Sequence, residues 1–135
     1  MELQIKNYDN YAFAKDGKIF NGVFGFELDT YNRIWVRART GLIILQNETS
    51  TTLSINGTPF ENTGIKRMLL HDSTLWITGK FDLCRLTVTE TISDLRKLEK
   101  VTRLATFGID ADVLIPDNGG LWICSTTRLF FYGDF

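Results

Sequence analysis

The chain is poor in the residues that usually announce chemistry. Its 135 residues contain one histidine, two cysteines and two prolines. A lone histidine with no second histidine or cysteine at ligand spacing makes a poor metal site, and no catalytic constellation can be assembled along the sequence. Two cysteines, Cys84 and Cys124, are too few for a disulfide scaffold, so free, half-buried thiols are expected. Charge of one sign is also lacking: fifteen basic residues face sixteen acidic ones, for a net charge of −1. That excludes the strongly basic footprint of a protein that grips nucleic-acid backbones. No apolar run approaches the length of a membrane span, and the opening MELQIKNYDN lacks the charged head and apolar core of a secretion signal. The expectation is a protein that stays where it is made, or a piece of a longer chain that carried leader and anchor elsewhere.

What is present favours strands. Ten Phe, four Tyr and three Trp accompany eleven Gly within a chain that is 44% apolar and 23% charged, the profile of glycine-turned β-structure rather than of a helical bundle. The length fits one domain that buries about two thirds of its unfolded surface.

The chain also repeats itself. RIWVRARTGLIIL begins at Arg33, TLWITGKFDLCRL at Thr74 and GLWICSTTRLFFY at Gly120, which places Trp35, Trp76 and Trp122 in register 41 and 46 residues apart. Before each tryptophan an apolar strand ends at an acid, Asp29, Asp72 or Asp117, followed by a tight turn. Strand, acid, turn and Trp-bearing strand form a β-hairpin, and a third apolar strand follows each one. Near-continuous apolar strands suit sheets covered on both faces. Repeats of this length built from short strands are those of propeller blades. The predicted fold is therefore all-β: about three four-stranded antiparallel blades. The blades are expected over 23–57, 58–100 and 101–135, after an outer-strand hairpin within 1–22 turned at Asp16-Gly17. TTLSING and, in the second blade, TVTET are the candidate outer strands. The third blade lacks one. Residues 93–101, SDLRKLEKV, instead carry a helical spacing of Leu95, Leu98 and Val101 with Ser93 as a cap, so a short helix or helical turn is the alternative there.

Three blades are too few for a ring. An uncovered face of about 400 Å² would cost roughly 10 kcal/mol at about 25 cal/mol/Å², as much as a domain's whole stability. Either a second copy closes a six-bladed ring as a homodimer, or the chain is part of a longer propeller.

Candidate functional residues are weighed against structural roles. Arg33, Arg37 and Arg39 share one strand face, a cationic stripe expected to be a solvated face, with Arg37 and Arg39 as weak binding candidates. His71 is a weak candidate beside Asp72. The three acids could form a ring of carboxylates, but an Asp repeated at a strand end more readily accepts hydrogen bonds from the following turn. The tryptophans could stack on sugars; in mid-strand they are expected to fill the space between blades. NGTPF (56–60) and NGG (118–120) read as turns, not phosphate loops. No cofactor and no metal are expected. Asn47 and Asn56 fit the glycosylation pattern, which matters only in a eukaryotic secretory setting.

VFGFELDTYNRIWVRARTGLIIL resembles the two-component regulator propeller repeat. The resemblance rests on Asp29, Asn32, Ile34, Trp35, Val36, Gly41 and Leu42, then Asp72, Leu75, Trp76, Ile77 and Leu83, then Asp117, Gly120, Leu121, Trp122, Ile123 and Leu129. The Gly-Thr that follows the tryptophan strand in that family is replaced by RA, TG and CS. The resemblance implies a propeller from the periplasmic sensing half of a bacterial hybrid regulator that recognises glycan breakdown products. The expected function is a non-catalytic recognition or sensor module, binding a carbohydrate-derived ligand or a protein partner on the loop face. An oligomerisation scaffold without a ligand, or a propeller-type lyase or hydrolase, are the alternatives.

Overall fold

A computed structural model describes residues 23–38 and 41–133; the expected hairpin within 1–22 and Arg39 lie outside the described residues. Those described form an all-β protein of eleven strands in three antiparallel sheets, with helix confined to two short 3-10 turns. The first sheet contains β1 (Val23–Leu28), β2 (Ile34–Ala38), β3 (Gly41–Gln46) and β4 (Thr49–Ser54); the second β5 (Arg67–His71), β6 (Thr74–Thr78), β7 (Asp82–Thr87) and β8 (Glu99–Arg103); the third β9 (Val113–Asp117), β10 (Gly120–Cys124) and β11 (Leu129–Tyr132). In every sheet neighbouring strands follow chain order. The first strands of the sheets adjoin, β1 against β5 and β5 against β9.

Local chemistry accounts for the hairpins. Asn47–Glu48, Asp72–Ser73 and Asn118–Gly119 each form a two-residue turn in which both residues have positive φ, the geometry whose twist matches paired strands. Gly41 is required by close approach: a Cβ there would lie 2.2 Å from the Leu53 carbonyl oxygen across the β3–β4 ladder.

Register gives each sheet two distinct faces. Trp35 pairs with Glu27 and Ile44, Trp76 with Leu69 and Arg85, and Trp122 with Ile115 and Phe131, so these residues share a tryptophan face in their sheets. The residues one step away form an aliphatic face: Ile34 and Val36, Leu75 and Ile77, Leu121 and Ile123. The tryptophan face of the first sheet packs on the aliphatic face of the second, where Trp35, Leu42 and Ile44 meet Leu75, Ile77, Cys84 and Leu86. Trp76 and Leu83 belong to a second core with Leu121 and Ile123 of the third sheet.

The outer strand of the second sheet is not TVTET. Residues 88–98 fold back, with Val88 and Leu95 buried in the first core, and the fourth strand is β8, which crosses the division expected at 100/101. The stretch 93–101 is a 3-10 turn over Leu95–Lys97, capped by Asp94 rather than Ser93, running into that strand. Nine residues nucleate an α-helix poorly, and pairing with β7 claims the last of them.

Candidate functional site

Asp29 directly follows β1 and is buried. Its Oδ1 accepts hydrogen bonds from the Tyr31 and Arg33 backbone N–H groups at 2.8 and 3.0 Å. Its Oδ2 accepts from Arg33 Nε at 2.6 Å and Trp35 Nε1 at 2.8 Å. Burial pushes its carboxyl up, but the bonds from Trp35, Arg33 and Tyr31 outweigh that and hold it below the usual aspartate value. The Arg33 side chain is only 2% exposed, and it reaches the segment between β7 and β8 by donating to the Thr89 and Glu90 carbonyls. The expected solvated stripe is therefore wrong at Arg33. Arg33 and Trp35 share a face, and the second sheet covers it.

The other two acids diverge from this pattern. Trp122 Nε1 donates to Asp117 Oδ2 at 3.1 Å, repeating the Asp29–Trp35 bond. Asp72 is 88% exposed and pairs with His71, 3.2 Å from Nε2 to Oδ2. Asp29, His71 and Asp72 line one cleft of about 420 Å³ at the end of the sheets where β1 and β5 finish; Asp117 is not among them. Asp29 has both oxygens engaged, and His71 and Asp72 are open to solvent, so the cleft offers no desolvated acid–base pair.

The opposite end, where β5 and β9 begin, gathers cations. Arg37 at the end of β2 donates to the Ile65 and Lys66 carbonyls ahead of β5. Arg67 opens β5 and donates through Nε to the Asp112 carbonyl ahead of β9 at 2.6 Å and through Nη1 to the Lys66 carbonyl at 2.8 Å. Relative to the tryptophans the two arginines occupy one cross-strand pair: Arg37 opposite Gly25, Arg67 opposite Thr78. Each latches its sheet to the loop of the next, and the corresponding pair in the third sheet is Val113 and Cys124. Lys66 Nζ contacts Asp110 and lies 3.9 Å from Asp112. With Lys80 from the β6–β7 turn these side chains line a cleft of about 480 Å³ that includes Thr63 and Ile65. Burial, then the nearby Arg67 charge, lowers the Arg37 pKa. Of the weak candidates, Arg37 lies here and His71 at the other end; Lys66, Arg67 and Lys80 carry no motif that marks them. Among the described residues no cluster of three His, Cys, Asp or Glu could hold a metal, and no helix is long and apolar enough to cross a membrane.

Both cysteines are free thiols. Burial, with the Asp82 carboxylate nearby, pushes Cys84 up to about 11, so it stays a protonated thiol at neutral pH. An alkylating reagent at pH 8 is expected to label the partly exposed Cys124 and to reach Cys84 only after unfolding; mass spectrometry of the labelled peptides checks this.

The chain matches no known family model, no curated protein and no solved structure in the comparisons made.

Proposed function

We propose that the three sheets are consecutive propeller blades and that the chain is a non-catalytic recognition module completed by a second copy of itself. The observation that carries this reading is the set of exposed apolar residues on the tryptophan face of the third sheet. Trp122, bonded to Asp117 and packed on Phe131 with ring centroids 4.7 Å apart, is surrounded by Val113, Ile115 and Leu129, which are 50%, 46% and 63% exposed. The same face is buried in the first sheet. At the other end of the stack, the aliphatic face of the first sheet exposes Phe26, Leu28 and Ile34 at 67%, 68% and 40%. These positions correspond to Met68, Leu70 and Leu75, with which the second sheet covers Trp35. The chain thus ends in the two halves of the contact that it makes internally, and a head-to-tail association closes a ring when the rotation allows.

The loop end with the cationic cleft is the recognition face in this reading, with a carbohydrate-derived ligand of the kind the repeat resemblance implies. Catalysis is disfavoured because Asp29 and Asp117 serve their own hairpins. Light scattering coupled to size exclusion tests the assembly: a particle of twice the 15.4 kDa chain mass is expected, reduced to a monomer by Ile115→Asp. A wild-type monomer at micromolar concentration sinks closure by a second copy. A dimer that gains no thermal stability from any sugar favours the scaffold alternative.

A further inference from the structure

The second and third sheets leave a small apolar cleft, of about 150 Å³, beside their outer strands β8 and β11. Leu104, Phe107 and Ile109 wall it on the side of the segment that follows β8, and Ile123 and Phe130 on the side of the third sheet. Ile123 and Phe130 are cross-strand partners on the aliphatic face, whereas the proposed second copy covers the face of Trp122. The assembly therefore makes no use of this cleft.

The segment LATFGID holds one wall in place. Leu104 and Ile109 are both buried, and the Ile109 N–H donates back to the Leu104 carbonyl at 3.1 Å. Gly108 turns the chain between them at φ 65°, a conformation open to glycine at little cost. The Ala105 N–H donates to the Phe81 carbonyl at 3.2 Å, which pins the 3-10 turn Leu104–Phe107 to the β6–β7 turn. Between its two buried anchors Phe107 is left 54% exposed. One exposed phenylalanine is ordinary on a protein surface; this one lines an apolar cleft and carries a cation on its carbonyl.

That cation is Arg128, from the turn between β10 and β11. Its Nη1 donates to the Phe107 carbonyl at 3.2 Å, and its guanidinium lies over the Phe130 ring, 4.6 Å from the centroid. Arg128 thus touches a residue on each wall of the cleft. A carbonyl and a ring face orient a guanidinium without cancelling its charge. Among the described residues no carboxylate pairs with Arg128, and its Nε and Nη2 meet no acceptor.

We propose that this cleft binds a small aromatic acid, with the ring among Ile123, Phe107 and Phe130 and the carboxylate on Arg128. A volume of about 150 Å³ is that of an apolar cavity able to accept one benzene ring. Its mostly apolar lining would leave the hydroxyls of a sugar without hydrogen-bond partners, so the ligand class differs from the carbohydrate of the recognition reading. The planar N–H groups of a guanidinium match the paired oxygens of a carboxylate. The inference does not rest on the recognition reading and holds whether or not a second copy covers Trp122.

Calorimetric titration of the full chain with 3-phenylpropionate, its uncharged analogue 3-phenylpropionamide and acetate tests the site. 3-Phenylpropionate is expected to bind at least about tenfold more tightly than either of the others, to raise the melting temperature, and to bind more weakly as salt is added. Arg128→Gln, at an exposed position, is expected to abolish the preference for acid over amide. Phe107→Ala is expected to weaken acid and amide alike, by about fivefold. Far-ultraviolet circular dichroism of both variants should match the parent, and either variant alone decides the question. Equal affinity of the parent chain for acid and amide overturns the proposal, as does acetate binding as tightly as 3-phenylpropionate. Affinity for the acid that neither variant changes places binding elsewhere and overturns it too, and so does a failure of 3-phenylpropionate to bind at millimolar concentration.

Discussion

Asp29→Ala is expected to destabilise the chain by about 3–5 kcal/mol, the usual cost of breaking a buried ion pair from one side. The substitution removes the acceptor for two backbone N–H groups, one indole and one guanidinium. It leaves Arg33 buried with the Thr89 and Glu90 carbonyls as its side-chain hydrogen-bond acceptors among the described residues. Since those carbonyls belong to the 88–98 segment that leads from β7 to β8, the loss extends from one hairpin to the segment that closes over the first core. Urea unfolding followed by tryptophan fluorescence reads the loss, and a change below about 1 kcal/mol would show that the cluster is not a keystone of the fold. The pH dependence has a definite sign. The folded pKa of Asp29 lies below its ordinary 3.8, so its stabilisation is present above that value and disappears as pH falls through the folded pKa. Asp29→Asn should therefore lose less stability than the parent protein on acidification from neutral pH.

The second large effect is a contrast between two tryptophans at the same repeat position. Trp35 is 1% exposed, and its ring fills the space between two sheets; Trp35→Ala is expected to cost about 3–5 kcal/mol through lost burial and the cavity left behind. Trp122 makes the same bond to its aspartate but stands on a face whose Val113, Ile115 and Leu129 are exposed. In the isolated chain Trp122→Ala should cost only about 1 kcal/mol, the scale of one partly exposed hydrogen bond. If a second copy covers that face as proposed, the difference should narrow as protein concentration rises, because association then adds to the apparent stability of the parent chain. Denaturant midpoints of both variants across a hundredfold range of protein concentration distinguish the cases: a Trp122→Ala penalty that never changes with concentration argues against a partner there.

The repeated acids organise hairpins: in the first sheet the acid also anchors a guanidinium that crosses to the segment between β7 and β8, and in the third it holds Trp122. In the second sheet the acid turns outward to His71, and the tryptophan Trp76 packs edge-on against Tyr132 of the third sheet, with centroids 5.9 Å apart. One repeat pattern thus reaches different local solutions, because the turn between acid and tryptophan is longest in the first hairpin and shortest in the second.

Much of the architecture was legible in the residues themselves. Alternation, turn dipeptides and the spacing of Trp35, Trp76 and Trp122 are local signals, and they specify hairpins and faces because a strand's side chains alternate whatever lies across from them. Arg33 could have been recognised by the same rule: it shares its face with Trp35, and a face destined for burial cannot also be a solvated stripe. Tertiary structure decided the rest. The outer strand of the second sheet lies at Glu99–Arg103 because residues 88–98 are drawn back to bury Val88 and Leu95 over the first core, a choice made by packing rather than by local propensity. The cationic cleft likewise arises only when the end of β2, the start of β5 and the β6–β7 turn meet. Periodicity reports what each strand offers on either side, whereas burial and electrostatic potential depend on which distant segment arrives to face it.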